Sequence, residues 1–288
     1  MAALVAPVVV GVMNAPAIRA QASAQSASAA TPKFEVASIK PCKADIGAGV
    51  RVGNFKVSPG RLTVNCVNVL FMIQEAFLEY ANGRYHHFPI EVPIEGAPGW
   101  VQSDRYSIEA KAEDTASQEM MEGPMLQALL EDRFQVKVRR ETREVPVYEL
   151  TVAKGGPKLQ PFDGSCTPVD WNKTPQDPPP PKGPGDCRNV GGVSGTNLTR
   201  YWRGISIDNF ILAILGKGIT GRPVINKTGI AGVFDIHLEF TRDQNLDKAD
   251  AGPSIFTALQ EQLGLKLVPA KGPEEYLVID HVERPSEN

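Results

Sequence analysis

Residues 123–138 read GPMLQALLEDRFQVKV, and residues 252–267 read GPSIFTALQEQLGLKL. With one residue of slip, both segments share the Gly-Pro start, an Ala-Leu pair, a Glu and an apolar-Lys-apolar ending. The apolar spacing indicates a helix with one inward face, and the ending indicates the start of a strand. This helix-to-strand segment therefore predicts two copies of one fold within the chain.

The repeat continues on both sides of this segment. Three further pairs match in the same order: YSIEA at 106–110 with FDIHL at 234–238, VN at 67–68 with ID at 207–208, and PVYELTV at 146–152 with EYLVID at 275–280. We therefore expect each copy to contain a strand, a helix, two strands, a second helix and two more strands.

The helix starts carry recognisable residues in both copies. We expect Asn68 and Asp208 to cap the first helices, because their side chains can accept hydrogen bonds from free amides of the first turn. Pro124 and Pro253 are expected near the first turn of the second helices, where a missing N–H leaves no bond unmade.

Each copy ends in two stretches of alternating polarity separated by turn-forming residues. In the first copy, strands over 135–140 and 145–153 are predicted to pair around Glu141–Arg143. The second copy is expected to repeat this arrangement within 265–281. Each copy would then close with a hairpin of its own.

These patterns predict an α+β protein made of two related modules. The predicted parts are 1–32 as a leader and linker, 33–154 as the first module, 155–200 as a connector rich in Pro and Gly, and 201–288 as the second module. In the first module, Phe34–Ile39 alternates as an edge strand, and 55–67 is predicted to form a hairpin turned at Ser58–Gly60.

The overall composition excludes one large class of proteins. The chain has 288 residues, with 33 acidic and 30 basic side chains and a formal net charge of -3. A protein that binds nucleic acid needs a basic face to neutralise phosphates. We therefore expect no nucleic-acid partner.

The N-terminus indicates export. Residues 2–13 form an apolar run, and Ala20 and Ala22 form an A-x-A processing pattern, but no Lys or Arg precedes Arg19. Two interpretations stay open: an atypical signal peptide, or the end of a transmembrane helix from a longer protein. Both give a periplasmic or secreted location, with membrane contact only through an uncleaved N-terminal segment. A third interpretation, which we favour less, is an Ala-rich disordered leader on a cytosolic protein.

The four cysteines agree with export. Cys42, Cys66, Cys166 and Cys187 are even in number and lack the close spacing of zinc or redox sites. We favour pairing Cys42 with Cys66 and Cys166 with Cys187, because each pair closes a loop of about 20 residues, with a stabilisation of about 3 kcal/mol.

Several motifs resemble one family of soil-associated exported proteins that is abundant in Acidobacteria. They are FEVASIKP at 34–41, GW at 99–100, RETREVPVY at 140–148, VAKGGPKL at 152–159 and VIDHVERP at 278–285. The resemblance covers residues 33–285 and implies no assigned activity. Some members of that family look like the exported tail of BlaR-type membrane metallopeptidases, although this chain lacks the HExxH zinc motif.

The predicted order of elements is also similar to the short N-terminal domain of secretins and TonB-dependent receptors. That resemblance is one of element order alone. It implies a module that binds proteins or transmits signals.

Few residues suggest catalysis. His86 and His87 are adjacent in a loop, and His237 shares a strand face with Asp235 and Glu239. Adjacent side chains do not converge on one ligand, and a polar strand face is usually solvated. No Gly-x-Ser-x-Gly elbow occurs. We predict no catalytic residue, no metal site and no cofactor.

Three aromatic residues are the candidates for binding. Trp100 follows Pro98-Gly99 before a strand, and Tyr201-Trp202 opens the second copy beside two arginines. Such side chains can stack on a ligand, but they also supply large buried area to small domains. We favour packing as their main role.

Two hypotheses about function follow. The first is an exported, non-catalytic protein that acts as an interaction or sensory domain, with a protein or another envelope component as its partner. The alternative is an envelope hydrolase with a site around His86 and His87 or around His237. A third option, addition of a partner strand to an exposed sheet edge, fits the predicted terminal hairpins.

Overall fold

The computed structural model describes residues 32–42, 54–86, 92–171, 173–174, 185–187 and 190–285. The predicted leader, apart from Pro32, lies outside the described residues, as does the tetraproline run at 178–181. Among the described residues, no helix combines the length and hydropathy that crossing a lipid bilayer requires.

The fold is mixed α+β, as predicted. In chain order the strands are β1 (Phe34–Cys42), β2 (Asn54–Ser58), β3 (Arg61–Asn68), β4 (Ile94–Glu95), β5 (Arg105–Ala112), β6 (Lys137–Val152), β7 (Gln160–Pro161), β8 (Val190–Ser194), β9 (Asn197–Ile205), β10 (Val224–Asn226), β11 (Phe234–Thr241) and β12 (Leu265–His281). The α-helices are α1 (Val69–Gln74), α2 (Trp100–Ser103), α3 (Gln118–Met120), α4 (Leu126–Arg133), α5 (Ile207–Ile214), α6 (Lys217–Thr220) and α7 (Ile255–Leu263).

The strands form three four-stranded sheets. The first sheet has the order β1-β5-β3-β2, the second β10-β6-β12-β4, and the third β7-β11-β9-β8. The first and third sheets correspond strand by strand, and in both a helix follows the third strand of that order. The predicted edge strand and the hairpin turned near Pro59 are confirmed, since β1 ends the first sheet and Ser58 pairs with Arg61.

The two copies also share an irregularity beside their first helices. In the first sheet a bulge places Cys66 in the left-handed region at φ 49°, and in the third sheet Gly204 takes this place at φ 64°. Each bulge amide donates to a side chain of the facing strand, Cys66 to Ser107 Oγ at 3.2 Å and Gly204 to Asp235 Oδ1 at 3.0 Å. Both copies therefore have the same β-bulge, although the residues at the bulge differ between them.

One predicted helix cap is confirmed and one is wrong. The Phe71 amide donates to Asn68 Oδ1 at 2.8 Å at the start of α1. In the second copy, Ser206 caps α5, and its hydroxyl accepts from the Asn209 amide at 3.2 Å. Asp208 lies inside the first turn instead, because Ser206 already provides the capping oxygen in an extended conformation.

The two prolines of the repeated segment lie elsewhere than predicted. Pro253 precedes the cap residue Ser254, so it lies outside α7. The helix around Pro124 begins earlier, at Gln118, and passes through a π-helical turn at Met121–Met125 before it continues as α4. A wider turn accommodates a residue that has no N–H.

The glycine that opens the repeated segment has a packing reason in both copies. A Cβ on Gly123 would lie 2.1 Å from the Tyr80 carbonyl oxygen, and one on Gly252 would lie 2.5 Å from Asn197 Oδ1. Both distances are far below van der Waals contact. Glycine is therefore required because a polar atom of a neighbouring element approaches the backbone there.

The prediction of one closing hairpin per copy is wrong. β6 is a single strand of 16 residues and β12 one of 17, and they pair with each other in antiparallel fashion along their whole length. The charged residues in and beside the predicted turn Glu141–Arg143 make contacts across the two strands instead. Arg140 forms an ion pair with Glu275, and Arg143 lies 4.3 Å above the Tyr276 ring.

This pairing has local two-fold symmetry. Lys137 and Lys266 are equivalent in the repeat, and counting from them makes Glu144 equivalent to Pro273, the residue that it pairs with. The flanking parallel strands follow the same symmetry. Val224 of β10 pairs with Tyr148 of β6, whereas Ile94 of β4 pairs with Leu277 of β12.

Each hydrophobic core contains strand residues from both copies. Leu277 and Ile279, which belong to the last strand of the chain, lie in the core of the first copy. Leu150 of β6 lies in the core of the second copy beside Leu265 and Leu267. Consistent with this exchange, Thr31–Asn288 forms one compact unit, and the boundaries of the two modules stay a prediction.

The region predicted as a connector contributes to the third sheet. β7, β8 and the first residues of β9 all lie within 155–200, and Leu159 and Trp171 pack against the second core. The segment VGGVS at 190–194 differs from the expected extended linker because its backbone pairs with β9. Backbone hydrogen bonds need no side chains, so glycine does not prevent this pairing.

We expect Leu277→Ala to destabilise the whole chain. Leu277 is 1% exposed in the first core, and truncating such a leucine costs roughly 2–5 kcal/mol. Urea unfolding followed by tryptophan fluorescence should show a lower midpoint in one cooperative transition. Val36→Ala, at a 61% exposed position, is the matched control. An equal midpoint for the two variants would contradict the shared-core arrangement.

Candidate functional site

β8 is a sheet edge without the usual protection. All five of its residues are exposed, with Val190 at 60% and Val193 at 70% exposure, and the strand ends the third sheet. It contains neither a charged residue nor a proline, which are the residues that keep sheet edges from pairing with foreign strands. The other edge strands either carry Lys40-Pro41 or Lys56, or have two or three residues only.

The turn after β8 decides which backbone groups face the open edge. Ser194 pairs with Asn197 across a two-residue turn, and Gly195 has φ 60°. Glycine at the first central position is typical of a type II′ turn, which closes on a hydrogen-bonded pair. Because hydrogen-bonded pairs alternate with the other kind, the N–H and C=O groups of Gly191 and Val193 point to the open edge.

A polar network anchors the β8–β9 hairpin. The fully buried Thr241 donates from Oγ1 to Asn197 Oδ1 at 2.5 Å, and the Gly252 amide donates to the same oxygen at 2.8 Å. Asn197 Nδ2 in turn donates to the Asp250 carbonyl at 3.1 Å, and the Thr196 amide to Asp250 Oδ2 at 3.1 Å. The edge is therefore presented from a fixed support.

The second unusual feature is a group of buried acids, here called the carboxyl cluster: Glu75, Glu79 and Glu122, with Tyr80 and Gln118 around them. Glu75 is 8% exposed and Glu122 2% exposed. Gln118 Nε2 donates to Glu122 Oε2 at 2.9 Å and lies 3.3 Å from the Tyr80 hydroxyl. Two π-helical turns, Glu75–Glu79 and Met121–Met125, bring these side chains together.

Burial makes the cluster hold protons. Loss of solvent raises the pKa of Glu75 to about 9, with the charges of Glu79 and Glu122 acting in the same direction. Burial also raises the pKa of Glu122 to about 7, although the hydrogen bond from Gln118 opposes this shift. The pKa of Glu79 is raised by burial too. Burial therefore favours the protonated form of all three carboxyl groups.

The sequence alone predicts none of the acids in the carboxyl cluster as a site residue. Throughout the described ranges, no group of three or more His, Cys, Asp or Glu side chains is arranged to hold a metal ion. Sequence reasoning missed these acids because Glu75 and Glu79 lie within an otherwise amphipathic helical pattern. Only their burial distinguishes them from solvated glutamates.

The three aromatic candidates lie in separate places. Trp100 packs against the first core, and the Arg284 guanidinium lies 4.8 Å from its ring centroid. Trp202 packs against the second core at 5.6 Å from Trp171, measured between ring centroids. Tyr201 contacts His237 edge-on at 6.2 Å.

The histidines within the described ranges do not converge on one another. His86 lines a pocket of about 250 Å³ with Asn82, Arg140 and Glu275, and its Nε2 lies 3.3 Å from the Ala81 carbonyl oxygen. His87 lies outside the described residues. On the open face of the third sheet, His237 lies 3.6 Å from Glu239. The hydrolase alternative stays a prediction.

Both predicted cysteine pairs are at bonding distance. Cys42 and Cys66 have a Cα–Cα separation of 5.8 Å, and Cys166 and Cys187 one of 5.0 Å. The first pair connects β1 to the bulge of β3, and the second holds two parts of the connector together. Two disulfides are consistent with an exported protein.

Fold and site together define a disulfide-bonded α+β protein with an open sheet edge. The chain belongs to the family described as "Protein of unknown function (DUF3738)", whose model matches residues 86–282. That match begins after α1 and includes β8 and the whole of β6 and β12. Neither the curated proteins nor the solved structures contain a match to this chain.

We expect Glu75→Gln to stabilise the protein above neutral pH. Because the folded state raises the pKa of Glu75 from 4.5 to about 9, it binds more protons than the unfolded state between these values, and stability falls as pH rises through this window. Thermal unfolding at pH 5 and pH 8 should show a smaller loss in the variant. Glu131→Gln, on the exposed face of α4, should follow the wild type. A parallel loss in all three proteins would contradict the cluster's role.

We expect Asn197→Ala to loosen the hairpin. The change removes the Asn197 acceptor of the buried Thr241 hydroxyl, at a cost of roughly 1–3 kcal/mol, and leaves the Gly252 amide with Thr241 Oγ1 as its acceptor. Hydrogen exchange should become faster in β8 and β9 but not in β3. Asn54→Ala is the control, because Asn54 accepts only an exposed bond from Asn65. Unchanged exchange in β8 would show that the network does not support the edge.

Proposed function

We propose that this protein is an exported, non-catalytic interaction or sensory domain that binds an extended protein segment at the β8 edge. The segment would add a strand to the third sheet, with main-chain hydrogen bonds giving affinity and side chains beside the valines giving specificity. The observation that carries this proposal is the uncharged, fully exposed strand Val190–Ser194 at the end of that sheet.

The construction of the hairpin supports the proposal. Five hydrogen bonds hold the β8–β9 turn in place. They connect Thr196 and Asn197 of the turn with Thr241, Asp250 and Gly252. A preorganised edge strand does not have to become ordered when a partner strand binds, which lowers the entropic cost of association.

The wider setting is part of the same proposal. We propose a periplasmic or secreted location, supported by the two disulfides and the apolar N-terminal run. The predicted similarity in element order to the short domains of secretins and TonB-dependent receptors requires two closing strands in each copy, whereas each copy has one long strand, so that similarity does not support the proposal. A sensor tail of the BlaR-like kind would use such an edge to receive a partner.

Photo-crosslinking tests the proposal. A benzophenone amino acid replaces Val193, and the protein is irradiated in the envelope of the cell that produces it. We expect discrete adducts at Val193 and none when the same group replaces Leu246, which is 39% exposed outside the sheets. The matched variant adds Gly191→Pro, which removes an N–H that faces the open edge while leaving the bonds to β9 intact.

Loss of the adducts in the Gly191→Pro background would show that the edge backbone binds the partner. Adducts that persist there, or that form equally at Leu246, would overturn strand addition. Far-ultraviolet circular dichroism of each variant confirms that the sheets remain folded.

A further inference from the structure

We infer that the partner of the β8 edge is the β8 edge of a second copy of this chain, paired antiparallel about a two-fold axis through Gly192. This inference rests on the proposed function and names its partner. The third sheets of the two copies would join into one continuous sheet across the β8 edges.

Sheet geometry restricts the possible registers. A two-fold axis that makes two edge strands antiparallel stands perpendicular to the sheet, so each face continues into the same face of the other copy. Residues that pair across the interface must therefore point to the same face. This requires the axis to pass midway between the two copies of one residue, which then faces itself. Gly191, Gly192 and Val193 are the central residues of β8 and hence the possible centres.

Hydrogen bonding selects among these three centres. The open-edge N–H and C=O groups belong to Gly191 and Val193, as the turn geometry dictates. With the axis at Gly192, Gly191 of each copy pairs with Val193 of the other, so every edge group within the strand is used. With the axis at Gly191 or at Val193, that residue faces its own copy. The other residue of the two then faces a position beyond the end of β8.

The side chains fit this register. Val193, 70% exposed, would lie opposite Gly191, where the Arg200 side chain occupies the space beside the backbone, with its Cδ 3.4 Å from the position of a Cβ. Val193 would therefore pack against the methylene groups of Arg200 rather than against a Cβ. Gly192 would face Gly192, and a Cβ built on it meets no atom of its own chain within 4 Å. The strand itself carries no charge, and the Arg200 guanidinium that lies against it donates to the Gly192 carbonyl oxygen of its own chain at 3.4 Å. The other long edges, with Lys40 and Lys56, carry charges of their own.

Disulfide trapping tests the inference. The chain has no free cysteine, so Gly192→Cys adds a single thiol. Residues opposite each other in a non-hydrogen-bonded pair have Cα atoms about 4.5 Å apart, within the range of a disulfide. We expect mild oxidation to give a covalent dimer. Ser194→Cys is the control, because its two copies would lie several residues apart along the strands.

Sedimentation velocity of the wild-type protein gives the second measurement. We expect a concentration-dependent dimer that Val193→Lys abolishes and that Val233→Lys, at a 43% exposed position away from β8, leaves unchanged. A wild type that stays monomeric, or equal trapping of Ser194→Cys, would overturn the inference. In that case, heterologous adducts at Val193 would leave strand addition standing with another partner, whereas their absence would overturn both.

Discussion

The antiparallel pairing of β6 with β12 is the interaction on which the rest of this structure depends. It joins the last strand of each copy along its whole length, so each core contains residues from both halves of the chain. Leu150 completes one core and Leu277 the other. Because the strands are exchanged in this way, neither copy buries its apolar surface without the other.

The connector between the two copies supplies strands to the third sheet. The connector lies in the chain between β6 and its partner β12, and part of it forms β7 and β8. These strands take the places in the third sheet that β1 and β2 take in the first. β7 has two residues where β1 has nine, and β8 has five residues like β2 but contains two glycines, and all five of its residues are exposed.

The two unusual features lie in different copies and place different demands on the fold. In the first copy, two π-helical turns bring Glu75 and Glu122 out of solvent, so folding is opposed by the cost of deprotonation as pH rises. In the second copy, the equivalent space is built from a serine-capped helix, and the polar network lies instead at Asn197 and Thr241. The carboxyl cluster thus affects stability, whereas the network supports the edge that we propose for binding.

By itself, the sequence determined the α+β class, the repeated helix-to-strand segment, the cap at Asn68 and the cysteine pairing. Apolar spacing and capping side chains act within a few residues, and the cysteine pairs close short loops, with sequence separations of 24 and 21 residues. Only the tertiary structure decided that β6 and β12 pair with each other, because alternating polarity specifies a strand but not its partner. The same reason hid the β8 edge and Glu75, whose exposure and burial depend on neighbours that are distant in the chain.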